Sequence, residues 1–324
     1  MKSCLAAIAF ILFAFDPAFA QEDFPNNAAV RIEVVPFATR TVSDQAFRSG
    51  NKTAGSDVEI AGVLRLPHGS GPFSTVVLVE GSGGIVGNND YWDRVFLSHG
   101  IATFTIDGFT GRGIDGMTTD QTKLGLMNMI IDVYRALAVL AKTPRIDSRH
   151  IAIMGFSRGG IIALYSAMKR FQVAWNDSGV SPAAYIPFYP VCNIQFQNDE
   201  DVTGPIRIFQ GTLDDTAPIA PCRDYVKRLK AAGKDVEITS LVGVMHGFDV
   251  PNTPAVSFNP HGENTDCTLV EDKSNVIIDQ ASGKPWGLKD VCNRIGAHDG
   301  YSEEATAISE KGVVQFLTAT FHLK

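Results

Sequence analysis

The chain has 324 residues, of which 45% are hydrophobic and 19% charged, a globular composition that excludes disorder, a coiled coil and a collagen-like repeat. Its net charge is −7, from 28 basic and 35 acidic residues. With no long basic run, a nucleic-acid-binding surface is not expected.

The first element reads as a secretion signal. Lys2 gives a positive start, and the apolar stretch from Cys4 to Phe15 is too short to span a bilayer comfortably. Asp16 and Pro17 break it, and Ala18-Phe19-Ala20 forms an A-x-A cleavage site. An uncleaved anchor fits less well, because nothing apolar continues past Asp16. The expected mature protein begins at Gln21, is periplasmic or secreted, and keeps no stable membrane anchor. Residues 21–324 then read as a single domain.

Residues 30–39 and 58–66 read as an N-terminal antiparallel pair; the second alternates Val58, Ile60, Gly62, Leu64 and Leu66. The pattern then changes to short, continuous, β-branched runs at 75–79, 101–106, 151–154 and 206–209, with a weaker one at 184–188. Such runs suit parallel strands buried on both faces. Helical stretches lie between and around them at 91–99, 124–142, 159–171 and 219–232, and a final amphipathic helix covers 303–321. Residues 236–241 read as a further strand. This alternation predicts an α/β chain with a mostly parallel, doubly wound sheet and helices on both faces.

Residues 250–300 break the rhythm. They are rich in Asn, Asp, Gly and Pro, and read as an irregular insertion, either a lid over a site or a surface elaboration. After export four cysteines remain, Cys192, Cys222, Cys267 and Cys292, an even number that in an oxidising compartment suggests two disulfides. Three pairings are open, and Cys192–Cys222 with Cys267–Cys292 is preferred. The first two follow successive strands, and the second two bracket one irregular segment. No cysteine or histidine spacing suggests a metal.

The sharpest motif is Gly155-Phe156-Ser157-Arg158-Gly159-Gly160, which fits G-x-S-x-G directly after one predicted strand and directly before a helix. That context makes Ser157 the candidate nucleophile at a helix N-terminus. A serine hydroxyl needs a base, and the order Ser, acid, His is met downstream. Asp214 follows strand 206–209, with Asp215 as runner-up, and His246 follows strand 236–241. Oxyanion donors are expected from the backbone N–H groups of Arg158 and of Ser82, in the Gly-rich loop after strand 75–79. A dinucleotide loop is refused there, because position 86 is Val where the third glycine would stand. Glu80, Arg112, Trp92 and Phe156 are candidate substrate contacts, each with a structural alternative: loop support, a salt bridge or core packing.

In this order, Glu80-Gly-Ser-Gly-Gly, Asp107-Gly-Phe-Thr-Gly-Arg-Gly113, Gly155-Phe-Ser-Arg-Gly-Gly160, Gly211-Thr-Leu-Asp214 and His246-Gly-Phe-Asp249 resemble the dienelactone hydrolase family of α/β-hydrolases. The resemblance runs from about Val58 to Asp249 and over the last helix. It implies an α/β-hydrolase fold and cofactor-free hydrolysis of a small-molecule ester or lactone, with Ser157, Asp214 and His246 as nucleophile, acid and base. Dienelactone hydrolase itself uses a Cys nucleophile where this chain has Ser157. A serine peptidase of the same fold and a non-catalytic binding protein on this scaffold are the other two readings. Oligomeric state is not legible.

Overall fold

The computed structural model describes residues 28–323; the expected signal segment, residues 1–20, lies outside them. Eight strands form the central sheet: β1 (Arg31–Thr41), β2 (Ser56–Leu66), β3 (Phe73–Val79), β4 (Ala102–Asp107), β5 (Ile146–Phe156), β6 (Ala184–Phe188), and, after the two-residue β7 (Ile194–Gln195) outside this sheet, β8 (Ile206–Gly211) and β9 (Val236–Leu241). Their order across the sheet is β1-β2-β4-β3-β5-β6-β8-β9. β1 and β2 pair antiparallel, β2 meets β4 antiparallel, and every other pairing is parallel.

The continuous apolar runs are explained by burial on both faces. In β3, Val77 and Val79 face one core while Val76 and Leu78 face the other. The first core is covered by α1 (Asp44–Arg48), α3 (Asn128–Leu140), α4 (Arg158–Tyr165), α5 (Lys169–Trp175) and α6 (Ile219–Ala231). The second is covered by α2 (Gly87–Ser98) and α7 (Glu303–Phe321). This is the doubly wound α/β arrangement.

The sheet order places the site. After β3 the chain turns to one side, through α2, to reach β4; after β5 it turns to the opposite face, through α4. The loops leaving β3 and β5 therefore diverge and leave a crevice beyond the strand ends. One helix expected over 159–171 is two, α4 and α5, broken at Ser166–Met168, where Tyr134 Oη and Gln172 Nε2 donate to the Ser166 carbonyl.

The insertion is not irregular, and that expectation is corrected. β10 (Ser257–Thr265) and β14 (Asn293–Asp299) form an antiparallel pair, with a register shift between Asn259 and Glu263. Between them β11 (Leu269–Glu271), β12 (Ile277–Asp279) and β13 (Lys284–Pro285) build a small sheet in the order β13-β12-β11-β7. Buried Glu271 fixes it to the main body by accepting from Arg170 Nη2 at 2.7 Å and from the Gln197 N–H at 3.0 Å. Short strands with largely polar faces carry too little alternation to be read from sequence. The cysteines pair Cys192 with Cys222 and Cys267 with Cys292.

Candidate active site

Ser157 sits at the turn between β5 and α4, with φ 53° and ψ −113°. Such a positive φ costs a non-glycine residue roughly 1–3 kcal/mol and persists only when its surroundings enforce it. The surroundings are the flanking glycines. A Cβ on Gly155 would lie 2.1 Å from the Gly159 carbonyl oxygen, and one on Gly159 would lie 2.2 Å from that of Val79. Strand, turn and helix thus close to backbone contact, and the Ser157 N–H donates to the Phe188 carbonyl at 3.0 Å. The side chain is pushed out above the sheet end.

There it meets His246, whose Nε2 lies 2.8 Å from Ser157 Oγ. His246 Nδ1 lies 2.8 Å from Asp214 Oδ2. A carboxylate only accepts, so Nδ1 carries the proton and Nε2 is the acceptor for the serine hydroxyl. Asp214 also accepts from the Ala217 N–H at 2.7 Å and from Gln210 Nε2 at 3.0 Å. The structure therefore brings Ser157, His246 and Asp214 together. Asp215 does not join them: it accepts from the backbone N–H of His298 and lies 2.8 Å from His298 Nδ1. His246 is buried, which alone would lower its pKa. The charge and hydrogen bond of Asp214, with Asp299 and Asp249 adding, outweigh burial and raise it above 6.5.

On the other side of Ser157, the loop after β3 runs close against it. A Cβ on Gly81 would stand 3.7 Å from Ser157 Cβ. Ser82 Oγ donates to Gln121 Oε1 at 3.1 Å, and Arg158 Nη1 donates to the same oxygen at 3.0 Å. Gln121 thus ties the Ser82 loop to the start of α4. As the first residue of α4, Arg158 has a backbone N–H with no acceptor inside the helix.

The sequence profile of the dienelactone hydrolase family matches residues 60–275, about two thirds of the chain, and takes in Ser157, Asp214 and His246. The chain belongs to the dienelactone hydrolase family. Esterase FrsA of Escherichia coli O157:H7 is 32% identical over 112 residues, covering 32% of this chain and 24% of that esterase, so the likeness spans about a quarter of its length. A solved structure from Klebsiella pneumoniae subsp. pneumoniae MGH 78578, assigned as a dienelactone hydrolase, aligns with TM-score 0.57 at 14% identity over 88% of this chain and 99% of that one. That likeness speaks to the α/β-hydrolase fold alone. The apo form of Thermogutta terrifontis esterase 2 gives TM-score 0.49 and 20% identity over 60% of this chain and 82% of its own.

Within this dienelactone hydrolase scaffold, the four expected substrate contacts are corrected. Arg112 is buried in a two-pronged pair with Asp132, each prong 2.8 Å, and also donates to Thr41 Oγ1 and the Gly108 and Arg40 carbonyls. No donor is left to meet an anionic substrate. Trp92 is fully buried, its Nε1 donating to Asp249 Oδ2 at 2.8 Å, and Phe156 packs edge-on against Phe188 in the core. Sequence distance from the motif does not show which way a side chain faces.

Glu80, just before the Ser82 loop, is buried and supports the scaffold: its Oε1 accepts from the Gly108 N–H at 2.8 Å. Burial, more than the nearby Asp107 and Asp132, pushes its pKa up from 4.5 to about 8. Below 4.5 the carboxyl is protonated folded or unfolded; between 4.5 and 8 only the unfolded chain ionises freely, so stability drains away as pH rises. Glu80→Gln keeps the acceptor and removes this drain. Urea midpoints are expected to favour the variant by a few kcal/mol at pH 8 but not at pH 4.5. Parallel pH dependence of the two proteins would sink the idea.

Sequence reasoning missed Tyr189. Its ring lies 4.7 Å from that of His246, and its hydroxyl donates to Asp249 Oδ1 at 2.6 Å. Like Ser157, it follows a parallel strand directly and has positive φ, 37°. Its place at the C-terminal end of β6, where such sheets build their sites, was the available signal.

Proposed function

We propose that this chain is a serine hydrolase that cleaves a carboxylic ester or lactone of a small molecule through an acyl-enzyme. The observation that carries the reading is the unbroken 2.8 Å relay from Ser157 Oγ through His246 to Asp214, above the ends of parallel strands. His246 Nε2 takes the serine proton as Oγ attacks the carbonyl. Asp214 holds the tautomer and stabilises the imidazolium. The backbone N–H groups of Ser82 and Arg158 meet the oxyanion, aided by the α4 N-terminus. His246 then protonates the leaving alcohol, and water, activated by the same imidazole, releases the acid. Every proton and charge in this cycle is handled by side chains and backbone, so no metal or cofactor is assigned. Export to a periplasm or beyond completes the reading and suits two disulfides.

Two measurements test it on the mature protein: labelling by a fluorophosphonate probe, and turnover of short-chain p-nitrophenyl esters beside simple lactones. Labelling at Ser157 with ester or lactone turnover is expected. A folded protein that neither labels nor turns over would leave the scaffold as a binding protein; labelling with cleavage of peptides only would make it a peptidase. The rate also has an expected acid limb. His246 must be neutral to act, so kcat/KM is expected to fall with decreasing pH through a midpoint above 6.5. A midpoint at or below 6.5 would mean that the carboxylates around His246 do not prevail over its burial.

A further inference from the structure

The insertion reaches the catalytic histidine by its backbone. Asp299, the last residue of β14, forms a parallel bridge with His246, and the Gly300 N–H donates to the His246 carbonyl at 3.0 Å. The approach is close: a Cβ on Gly300 would lie 2.1 Å from the Ala255 carbonyl oxygen and 3.5 Å from Sδ of Met245, the residue before His246. Strand alternation puts Asp299 on the same face of β14 as the buried Ala297. Asn259 pairs with Ala297 across the hairpin, so β10 runs beside β14 as the chain reaches Asp299. One residue back, His298 is anchored by Asp215, the chain neighbour of the acid Asp214 in the loop after β8.

The charged and titratable groups around His246 come from four elements. Asp214 comes from the loop after β8, Asp249 from the loop of His246 itself, Asp299 from β14, and Tyr189 from the end of β6. Asp214 is engaged by three donors, and Asp249 by Trp92 and Tyr189. The pKa of Asp299 is raised by its burial and lowered by His246, so the two groups act on each other's charge. Asp215 is occupied by His298.

We infer that Asp299 is a positioning residue for His246: a second carboxylate, delivered by the insertion, that supports the imidazolium formed as Ser157 loses its proton. The inference rests on the serine-hydrolase reading above. It gives the insertion a part in catalysis distinct from covering the substrate: the hairpin completes the environment of the base.

The test is the pH dependence of kcat and kcat/KM for a p-nitrophenyl ester, measured on mature wild type, Asp299→Asn, Asp299→Glu and Asp215→Asn. Without the Asp299 charge the imidazolium is less favoured, so His246 loses its proton more easily. The acid limb of Asp299→Asn is expected to move down by about half a unit to one unit. Its plateau kcat is expected to fall about tenfold with KM unchanged. Asp299→Glu restores the limb. Asp215→Asn, which loosens the hairpin but leaves Asp299 in place, keeps the wild-type limb. An Asp299→Asn protein matching wild type in limb and kcat overturns the inference. So does an equal shift in Asp215→Asn, which would assign the effect to hairpin placement. If Asp299→Asn does not fold, Asp299→Ser asks the same question. It too removes the carboxylate, so a shift in the same direction is expected, and no shift overturns the inference. Failure of the parent reading looks different: Ser157→Ala would then keep full turnover, whatever Asp299 does.

Discussion

Ser157→Ala is expected to lower kcat by about 10⁴–10⁶-fold while leaving KM and the fold close to wild type. The loss is large because the hydroxyl is the bond-forming atom. Neither His246 nor the oxyanion donors can replace it, and what survives is the background that binding and oxyanion stabilisation give to water. The fold survives because, among the described residues, Ser157 Oγ has one partner, His246 Nε2, and the turn is enforced by others. The Gly155–Gly159 contact and the bond from the Ser157 N–H to Phe188 stay in place, and alanine at φ 53° carries the same backbone strain as serine. Loss of one hydrogen bond costs about 1 kcal/mol, a melting shift of a few degrees at most. Initial rates on p-nitrophenyl esters beside a melting curve check both halves. Retention of more than about a hundredth of wild-type turnover would mean that Ser157 is not the nucleophile.

The parts of this site that were legible in the sequence are those where one short stretch forces its own geometry. TVVLV at 75–79 suits a strand buried on both sides, and it lies within β3. The glycines around Ser157 announced a backbone contact, and strand ends placed Asp214 and His246 in the same neighbourhood. Orientation and long-range pairing were not legible. Arg112, Trp92 and Phe156 lie near the motifs, but their neighbours in space, Asp132, Asp249 and Phe188, take them into the scaffold. Tyr189 was hidden because its strand is weak: Pro187 within it has no N–H for the ladder. Gln121 lies in a single short turn, Gln121–Lys123, with no pattern of its own. Asp299 follows His246 by a long polar hairpin whose strands bury few side chains, so no period marked it as inward-facing.

The adjacent pair Asp214-Asp215 offers the sharper discrimination, because type and position in sequence nearly coincide while geometry does not. Asp214→Asn is expected to lower kcat by about 10⁴-fold, as loss of the acid does in other serine relays. The reason lies in the amide. In the Asp214→Asn variant the new side chain could present its NH₂ to His246 Nδ1, which would invert the tautomer, put the proton on Nε2 and remove the acceptor that Ser157 Oγ needs. The charge that supports the imidazolium is lost as well. Asp215→Asn touches neither effect. The Asp215 side chain, about two-fifths exposed, answers to His298 on β14, so kcat is expected to stay within about tenfold of wild type, as for a partly exposed pair. Measuring both variants on one ester at the pH plateau reads the contrast directly. If Asp215→Asn were the crippled enzyme and Asp214→Asn the active one, the hydrogen bond from His246 Nδ1 to Asp214 would not be the bond on which turnover depends.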